Sequence, residues 1–186
     1  SKILAERGAV LIDADLLGHQ TYEPGSETFA QVVAEFGDEI VAADGTIDRQ
    51  ALGGKVFGHP DGMGRLTGIV WPGIRALAAA ELARLDEAGT AVAVLEAAVM
   101  IEAGWQDMVD EVWVVTAPPD AARERLMERN GLSAEDADKR INSQISNDER
   151  FEHGDLVIST DCSLEEVAGR VHEAWDGLQQ RIGAGA

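Results

Sequence analysis

A regular alternation of short apolar runs and longer helical segments constrains this chain more than any other feature of its sequence. The apolar runs are four or five residues long, which suits buried parallel strands, and they occupy residues 9–12, 91–95, 112–116 and 156–159. The segments between them carry the apolar spacing and the capping residues of helices. Strands that alternate with helices predict an α/β fold with a parallel sheet, whose ligands bind at the carboxyl ends of the strands.

Proline and capping residues set the expected helix boundaries. Because Pro72 suits the first turn of a helix, we predict one helix over residues 62–70 and a second from Pro72 to about Glu87. Ser163 and Glu166 have the spacing of a capping box, which predicts the start of the last helix. Further helices are predicted over residues 27–36, 49–57, 118–129 and 133–144, with a loop over 42–48.

The net charge of −19 indicates which partners to expect. Affinity for nucleic acid and for anionic membranes depends on Lys and Arg that meet phosphates, so this charge opposes both. If the substrate is anionic, the few cations should be concentrated where it binds. Five of the 15 lysines and arginines do fall close together, at Arg123, Arg125, Arg129, Lys139 and Arg140.

These five cations form a group that we call the basic cluster. Arg125 and Arg129 are four residues apart, so they share one helix face. The planar guanidinium makes paired, charge-assisted hydrogen bonds with phosphate, which favours a polyphosphate site on a helical hairpin. The alternative is a solvated face in ion pairs with the nearby Glu124, Glu128, Glu135 and Asp136.

The chain has the size of one domain and the marks of an intracellular protein. Its only cysteine, Cys162, excludes an intrachain disulfide and favours a reducing compartment. No apolar run approaches the length of a membrane span, and the first residues are too polar for a secretion signal. We therefore expect a single cytoplasmic domain over residues 1–186, as a monomer or weak oligomer.

Carboxylates follow the predicted strands at the points where ligands are expected. Asp13 and Asp15 come after the first strand, and Glu96 ends the second. One of the two aspartates could orient a metal ion or a water while the other accepts a proton from a substrate hydroxyl. Asp15 could instead simply cap the following helix. His19 lies four residues later and shares a helical face with Asp15.

Glu102 stands out because its neighbours Met100, Ile101 and Ala103 are all apolar. A carboxylate in such surroundings is rarely part of an ordinary exposed surface. Glu102 therefore either pairs with one of the arginines or contacts a substrate.

In the order and spacing of many short motifs, the chain resembles dephospho-CoA kinases from about residue 8 to 181. The motifs are Ile12-Asp13-Ala14-Asp15 with His19, Asp44-Gly45 with Ile47-Asp48-Arg49, Glu102-Ala103-Gly104-Trp105, Arg125-Leu126 with Arg129-Asn130-Gly131, and Arg140-Ile141 with Ser143-Gln144. Trp71-Pro72 and Glu96-Ala97-Ala98-Val99 resemble the kinase half of the bifunctional coenzyme A synthase of animals.

The resemblance implies a P-loop-kinase-like three-layer sandwich with a helical CoA-binding part near residues 16–88 and a lid near 120–146. It implies transfer of the γ-phosphate of ATP, with Mg²⁺, to the ribose 3′-hydroxyl of dephospho-CoA. In that family the aspartate matching Asp15 is the base. The arginines matching Arg129 and Arg140 bind ATP phosphates, and residues matching His19, Arg49 and Glu102 lie on the acceptor side.

The sequence departs from the family at the phosphate loop. No Gly-Lys-Ser or Gly-Lys-Thr motif occurs in the 186 residues, and no strand matches the one that leads into that loop. We expect weak or no kinase activity from these residues alone, and neighbouring strands without backbone partners. Two explanations remain: the true start of the protein lies upstream of these residues, or the protein is a P-loop-less pseudokinase that binds dephospho-CoA or CoA. The family often has an Asn near the adenine, directly after the last strand. In this chain that stretch reads Ser159-Thr160-Asp161, without an Asn.

Overall fold

The computed structural model describes residues 1–185, which fall into two compact units. The central unit is Ala9–Ala98, and the terminal unit consists of Ser1–Gly8 and the chain from Val99 onward. Each unit contains one pair of parallel strands with helices packed around it. The predicted α/β class with parallel strands is therefore confirmed.

The strands of the central unit are β1 (Val10–Asp13) and β2 (Ala93–Glu96), which pair in parallel with Asp13 opposite Glu96. Ile12 and Leu95 lie opposite each other in this register and are both buried. The pairing brings the two strand-end carboxylates to the same edge, as the sequence predicts for a parallel sheet. Within residues 1–185 no third strand pairs with these two.

The helices of the central unit pack around one long helix. They are α2 (Ala14–Thr21), α3 (Glu27–Phe36), α4 (Arg49–Phe57) and the long α5 (Gly62–Glu87), with a short 3₁₀ turn over Asp38–Ile40. Helix α5 contacts α2, α3, α4 and β2. Its buried stripe consists of Val70, Ile74, Ala78 and Leu85, which follow helical spacing. This helix therefore supplies much of the core beneath the other helices.

The prediction of a helix that starts at Pro72 is wrong, because α5 runs through this residue without interruption. Proline lacks the N–H that would bond the carbonyl four residues earlier, which weakens an isolated helix. Here the apolar stripe continues on both sides of Pro72, from Val70 to Ile74, and both side chains are buried. Tertiary packing on both sides of the proline outweighs the local loss of one hydrogen bond.

Helix α5 also has the length and hydropathy of a membrane-crossing helix, with a mean hydropathy of 1.2 in its most apolar window. Core helices of soluble proteins pass the same test, so this likeness is weak evidence for a membrane.

In the central unit, Arg65 near the start of α5 pairs with Glu35 of α3 and lies over the Phe36 ring. These contacts join α5 to α3 along a charged flank.

Gly73 lies where α5 approaches α2 and α3 closely. A Cβ on Gly73 would lie 2.3 Å from Oγ1 of Thr28 and 3.3 Å from Cγ2 of Thr21, and both threonines are buried. We expect Gly73→Ala to lower the free energy of unfolding by about 1–3 kcal/mol, because a methyl group must be forced into a filled space. Gly68→Ala on the same helix is the control, since its Cβ meets nothing within 4 Å. It should raise the free energy of unfolding by up to about 1 kcal/mol. Thermal unfolding checks both values, and equal effects would contradict the packing argument.

The terminal unit is built on β3 (Trp113–Thr116) and β4 (Leu156–Ser159), which also pair in parallel. Its helices are α1 (Lys2–Glu6), α6 (Pro119–Asn130), α7 (Ala134–Asn142), α8 (Asn147–Phe151) and α9 (Leu164–Gly185), with a 3₁₀ turn over Gln106–Met108. Helix α9 packs on α1 and β4, and α6 packs on α7.

Capping boxes begin two helices of the terminal unit. At Ser163, the backbone N–H and the hydroxyl both donate to Glu166, whose own N–H donates to the Ser163 hydroxyl, as predicted. Ser146 and Glu149 form the same motif and start α8, a helix that the sequence analysis did not predict. The Ser-x-x-Glu spacing at residues 146–149 was the available signal.

Candidate functional site

A cleft of about 830 Å³ opens in the central unit between α2, α4, α5 and the segment that precedes α4. Three predicted site residues, Asp15, His19 and Arg49, line it together. An apolar wall of the cleft is formed by Leu52, Val56, Leu66 and Ile74, and the exposed Phe57 and Met63 also line it. A lining that combines charged groups with an apolar wall suits a small molecule with both kinds of surface.

The start of α2 separates the roles of the two aspartates. Asp13 caps the helix, because its Oδ1 accepts from the N–H of Asp15 at 2.9 Å and of Leu16 at 3.2 Å. Asp15, in the first turn, is exposed to the cleft, and its carboxylate has no hydrogen-bond or ion-pair partner among residues 1–185. The capping role considered for Asp15 thus belongs to Asp13, and Asp15 is left available for a ligand.

A small hairpin and a helix cap position Arg49. Val41 and Ile47 form an antiparallel bridge, and the turn between them is held by Asp44, whose Oδ1 accepts from the N–H and hydroxyl of Thr46. These bonds hold the pKa of Asp44 below its ordinary value. Asp48 then caps α4 by accepting from two backbone N–H groups, so Arg49 enters the cleft at the first position of the helix.

Tyr22 is a cleft residue that the sequence analysis did not select. Burial raises the pKa of its hydroxyl above the ordinary value, and the positive charge of Arg49 opposes part of that shift. The phenol therefore stays protonated at neutral pH and can donate a hydrogen bond to a ligand in the cleft. A lone tyrosine three residues after His19 was the only available signal.

We expect the phenol of Tyr22 to titrate above 10.0, its ordinary value. The chain has one tyrosine, so absorbance near 295 nm follows this group alone. Arg49→Gln should raise the midpoint further, because the charge of Arg49 lowers it. Arg65→Gln is the control, since Arg65 of the same unit pairs with Glu35.

Ionisation of Tyr22 also affects stability. The unfolded chain ionises first, so the contribution of the neutral phenol is fully present below pH 10 and is lost as the pH rises through the folded pKa. Tyr22→Phe should remove this pH-dependent decrease in the free energy of unfolding at alkaline pH. A wild-type midpoint at or below 10 would contradict the expectation.

In the terminal unit, the structure divides the basic cluster into neutralised and available cations. Arg123 donates to Asp138 at 2.6 Å, and Lys139 lies 2.7 Å from Glu135. Arg129 bonds only its neighbour Asn130, and the Arg140 side chain has no partner among residues 1–185. Within residues 1–185, the two arginines that the family resemblance assigns to ATP phosphates therefore have no carboxylate partner.

The fifth cation, Arg125, organises the loop between β4 and α9. Its guanidinium donates to Oγ1 and to the carbonyl of Thr160 at 2.8 and 2.7 Å. The Thr160 hydroxyl donates in turn to the carbonyl of Thr116 at the end of β3, and Arg170 donates to the carbonyl of Ser159. This loop is fixed at the carboxyl ends of both strands, where ligands of parallel sheets bind.

Glu102 lies in the terminal unit and pairs with Arg150 of α8. The Arg150 Nη2 atom lies 3.7 Å from Glu102 Oε1, and both side chains are largely buried, with 20% and 17% exposed. Glu102 Oε1 has no hydrogen-bond partner within the described residues. Of the two alternatives for Glu102, the pairing with an arginine is present, although Arg150 lies outside the basic cluster.

The chain is similar in sequence to known proteins of one family. The family model described as dephospho-CoA kinase matches residues 1–166. A Geobacter sulfurreducens protein named dephospho-CoA kinase is 42% identical over 94% of this chain and 89% of its own length.

Solved structures show the same fold. A Thermus thermophilus protein matches 95% of this chain and 88% of its own, with a TM-score of 0.75 and 27% identity. A dephospho-CoA kinase from Campylobacter jejuni matches all of this chain and 90% of its own, with a TM-score of 0.69 and 24% identity. The P-loop-kinase-like fold class is confirmed by these likenesses. Because the family model covers most of its length and a named relative is 42% identical to it, the chain belongs to the dephospho-CoA kinase family.

Proposed function

We propose that this protein transfers the γ-phosphate of ATP to the ribose 3′-hydroxyl of dephospho-CoA, which gives coenzyme A. The observation that carries the proposal is the cleft of the central unit, whose lining brings Asp15, His19 and Arg49 together with an apolar wall. Phosphoryl transfer depends on positioning and charge neutralisation more than on covalent chemistry by the protein. Such a reaction needs a carboxylate and arginines that are available to the ligands, and a cleft that positions the acceptor.

Asp15 is the proposed base. Its carboxylate is exposed to the cleft and makes no other bond within the described residues, so it can accept the proton of an incoming hydroxyl. The first turn of α2 holds it in place, because Asp13 accepts from the N–H groups of Asp15 and Leu16. His19, one turn later on the same helix, is the proposed second contact to the acceptor.

Arg49 is the proposed anchor for the acceptor's pyrophosphate. It is an arginine of the cleft lining without an ion-pair partner among residues 1–185, and it sits at a capped helix start. The apolar wall would take the uncharged part of the acceptor, which gains from leaving water. The acceptor role expected for Glu102 stays a prediction.

Arg129 and Arg140 are the proposed ligands of the ATP phosphates. Both keep free guanidinium donors, whereas their neighbours Arg123 and Lys139 are already bound to carboxylates. Mg²⁺ would accompany ATP and supply charge neutralisation when bound. Among the described residues no three potential ligands come together, so we assign no protein ligand to it.

The remaining expectations are part of the same proposal. The net charge of −19 supports a small-molecule enzyme that binds neither nucleic acid nor anionic membrane. We also propose a cytoplasmic monomer or weak oligomer, on the basis of the single cysteine and the acidic surface.

A product assay tests the proposed function. The natural gene product that contains these residues is incubated with Mg-ATP and dephospho-CoA, and coenzyme A is detected by mass against a no-enzyme control. Coenzyme A formation supports the kinase. Binding of dephospho-CoA without product would refute it and favour the alternative, a non-catalytic binding module.

A further inference from the structure

We propose that Glu102, Arg150 and Gln144 act as a positioning relay that holds Arg140 in place for the phosphates of ATP. Glu102 is far in sequence from the other two, and the three side chains are consecutive in contact within the terminal unit. The inference rests on the proposed function, because it assumes that Arg140 binds phosphate. It gives Glu102 a role at the nucleotide, not at the acceptor.

The relay begins at a fixed carboxylate. Glu102 lies in a tight turn in which the N–H of Ala103 donates to the carbonyl of Val99 and that of Trp105 donates to Met100, at 2.8 and 2.9 Å. Trp105 is 2% exposed and anchors this turn in the core. The hydrogen bonds of the turn therefore restrain the backbone of Glu102. Its largely buried carboxylate requires a cation from another segment of the chain close to it.

Arg150 is that cation, and it also has a fixed base. Helix α8 is capped by Ser146 and Glu149 and packs on β3, and Asn147 Nδ2 donates to the carbonyl of Ala117 at 3.1 Å. With its charge held near Glu102, Arg150 Nη2 donates to Oε1 of Gln144 at 2.8 Å. The guanidinium thus joins a buried carboxylate to a side chain at the surface.

Gln144 carries the restraint to the end of α7. Its N–H donates to the carbonyl of Ile141, and the neighbouring Ser143 hydroxyl donates to the carbonyl of Arg140 at 2.8 Å. Arg140 occupies the last turn of this helix and its side chain has no partner of its own within residues 1–185. The relay is therefore a restraint on the segment that carries Arg140, in addition to the packing of α7 on α6.

The possible roles of Glu102 predict different effects on the binding of ATP and of dephospho-CoA. If Glu102 contacts the acceptor, its loss should weaken dephospho-CoA binding. If Glu102 acts through the relay, its loss frees Arg150 and Gln144, and the weakened ligand should be ATP. A purely structural role would weaken both ligands together.

The test measures binding of ATP and of dephospho-CoA separately by calorimetry, in the natural gene product that contains these residues. We expect Glu102→Gln and Gln144→Met each to weaken ATP binding about tenfold, the scale of one charge-assisted hydrogen bond to phosphate. Dephospho-CoA binding should change less than about twofold, since the acceptor cleft is untouched. Gln144 is exposed, so Gln144→Met gives a result even if Glu102→Gln fails to fold.

Glu152→Gln is the matched control, because it removes an exposed carboxylate beside α8 that has no partner among the described residues. It should leave both affinities unchanged. A wild-type protein that binds ATP, with variants that bind it equally well, would overturn the relay alone. Weaker dephospho-CoA binding in Glu102→Gln would overturn it in favour of the acceptor role. A wild-type protein that binds no ATP would overturn the proposed function, and the relay with it.

Discussion

Replacing Asp15 by asparagine is expected to lower kcat by about 10²–10⁴-fold, the usual contribution of a general base. Asparagine keeps the size of the side chain and its place in the first turn of α2, so the cleft should still bind dephospho-CoA. We therefore expect the Kd for dephospho-CoA to change less than about threefold, because a neutral amide can still contact the hydroxyl but cannot accept its proton. Initial rates of coenzyme A formation and direct acceptor binding measure the two quantities.

Asp13→Asn is the control for this variant. Asp13 is only two residues away, but its Oδ1 is engaged as the cap of α2, and asparagine caps helices about as well as aspartate. We expect turnover within a few-fold of the wild type. Equal losses in Asp13→Asn and Asp15→Asn would point to the local charge, and full activity in Asp15→Asn would remove this residue from the role of base.

The second large effect is expected at Arg140 and Arg129, which have no carboxylate partner within residues 1–185. Arg140→Gln should weaken ATP binding by about 10–100-fold, because each charge-assisted contact with a phosphate contributes about 1.5–3 kcal/mol. Arg129→Gln should act in the same direction. The measurement is ATP binding by calorimetry, together with the KM for ATP where turnover is high enough.

Lys139→Gln is matched to Arg140→Gln, since it removes one positive charge from the adjacent position of the same helix. Lys139 is already held by Glu135 at 2.7 Å and is exposed, so its loss should change ATP binding less than about twofold. If both variants weaken ATP binding equally, the effect comes from the overall charge of α7 and not from a specific contact by Arg140.

Local patterns in the sequence were enough to place most of the elements. The predicted helices over 27–36 and 49–57 and the predicted strand over 156–159 have the bounds that the structure shows. Their signals act over a few residues: capping side chains, apolar periodicity and a bounded apolar run. Local signals failed at Pro72, where the decision depended on packing against α2, α3 and α4.

For the site, the sequence by itself determined the kinds of groups and their place near strand ends and on a basic hairpin. Only the tertiary structure of the described residues decided how they are used: that Asp13 caps while Asp15 has no partner there, that Arg140 is unpaired there while Lys139 is not, and that Glu102 meets Arg150. The physical reason is that hydrogen bonds and ion pairs require a few ångströms between two atoms. Sequence spacing fixes that distance within one helix turn, and packing of the whole chain fixes it everywhere else.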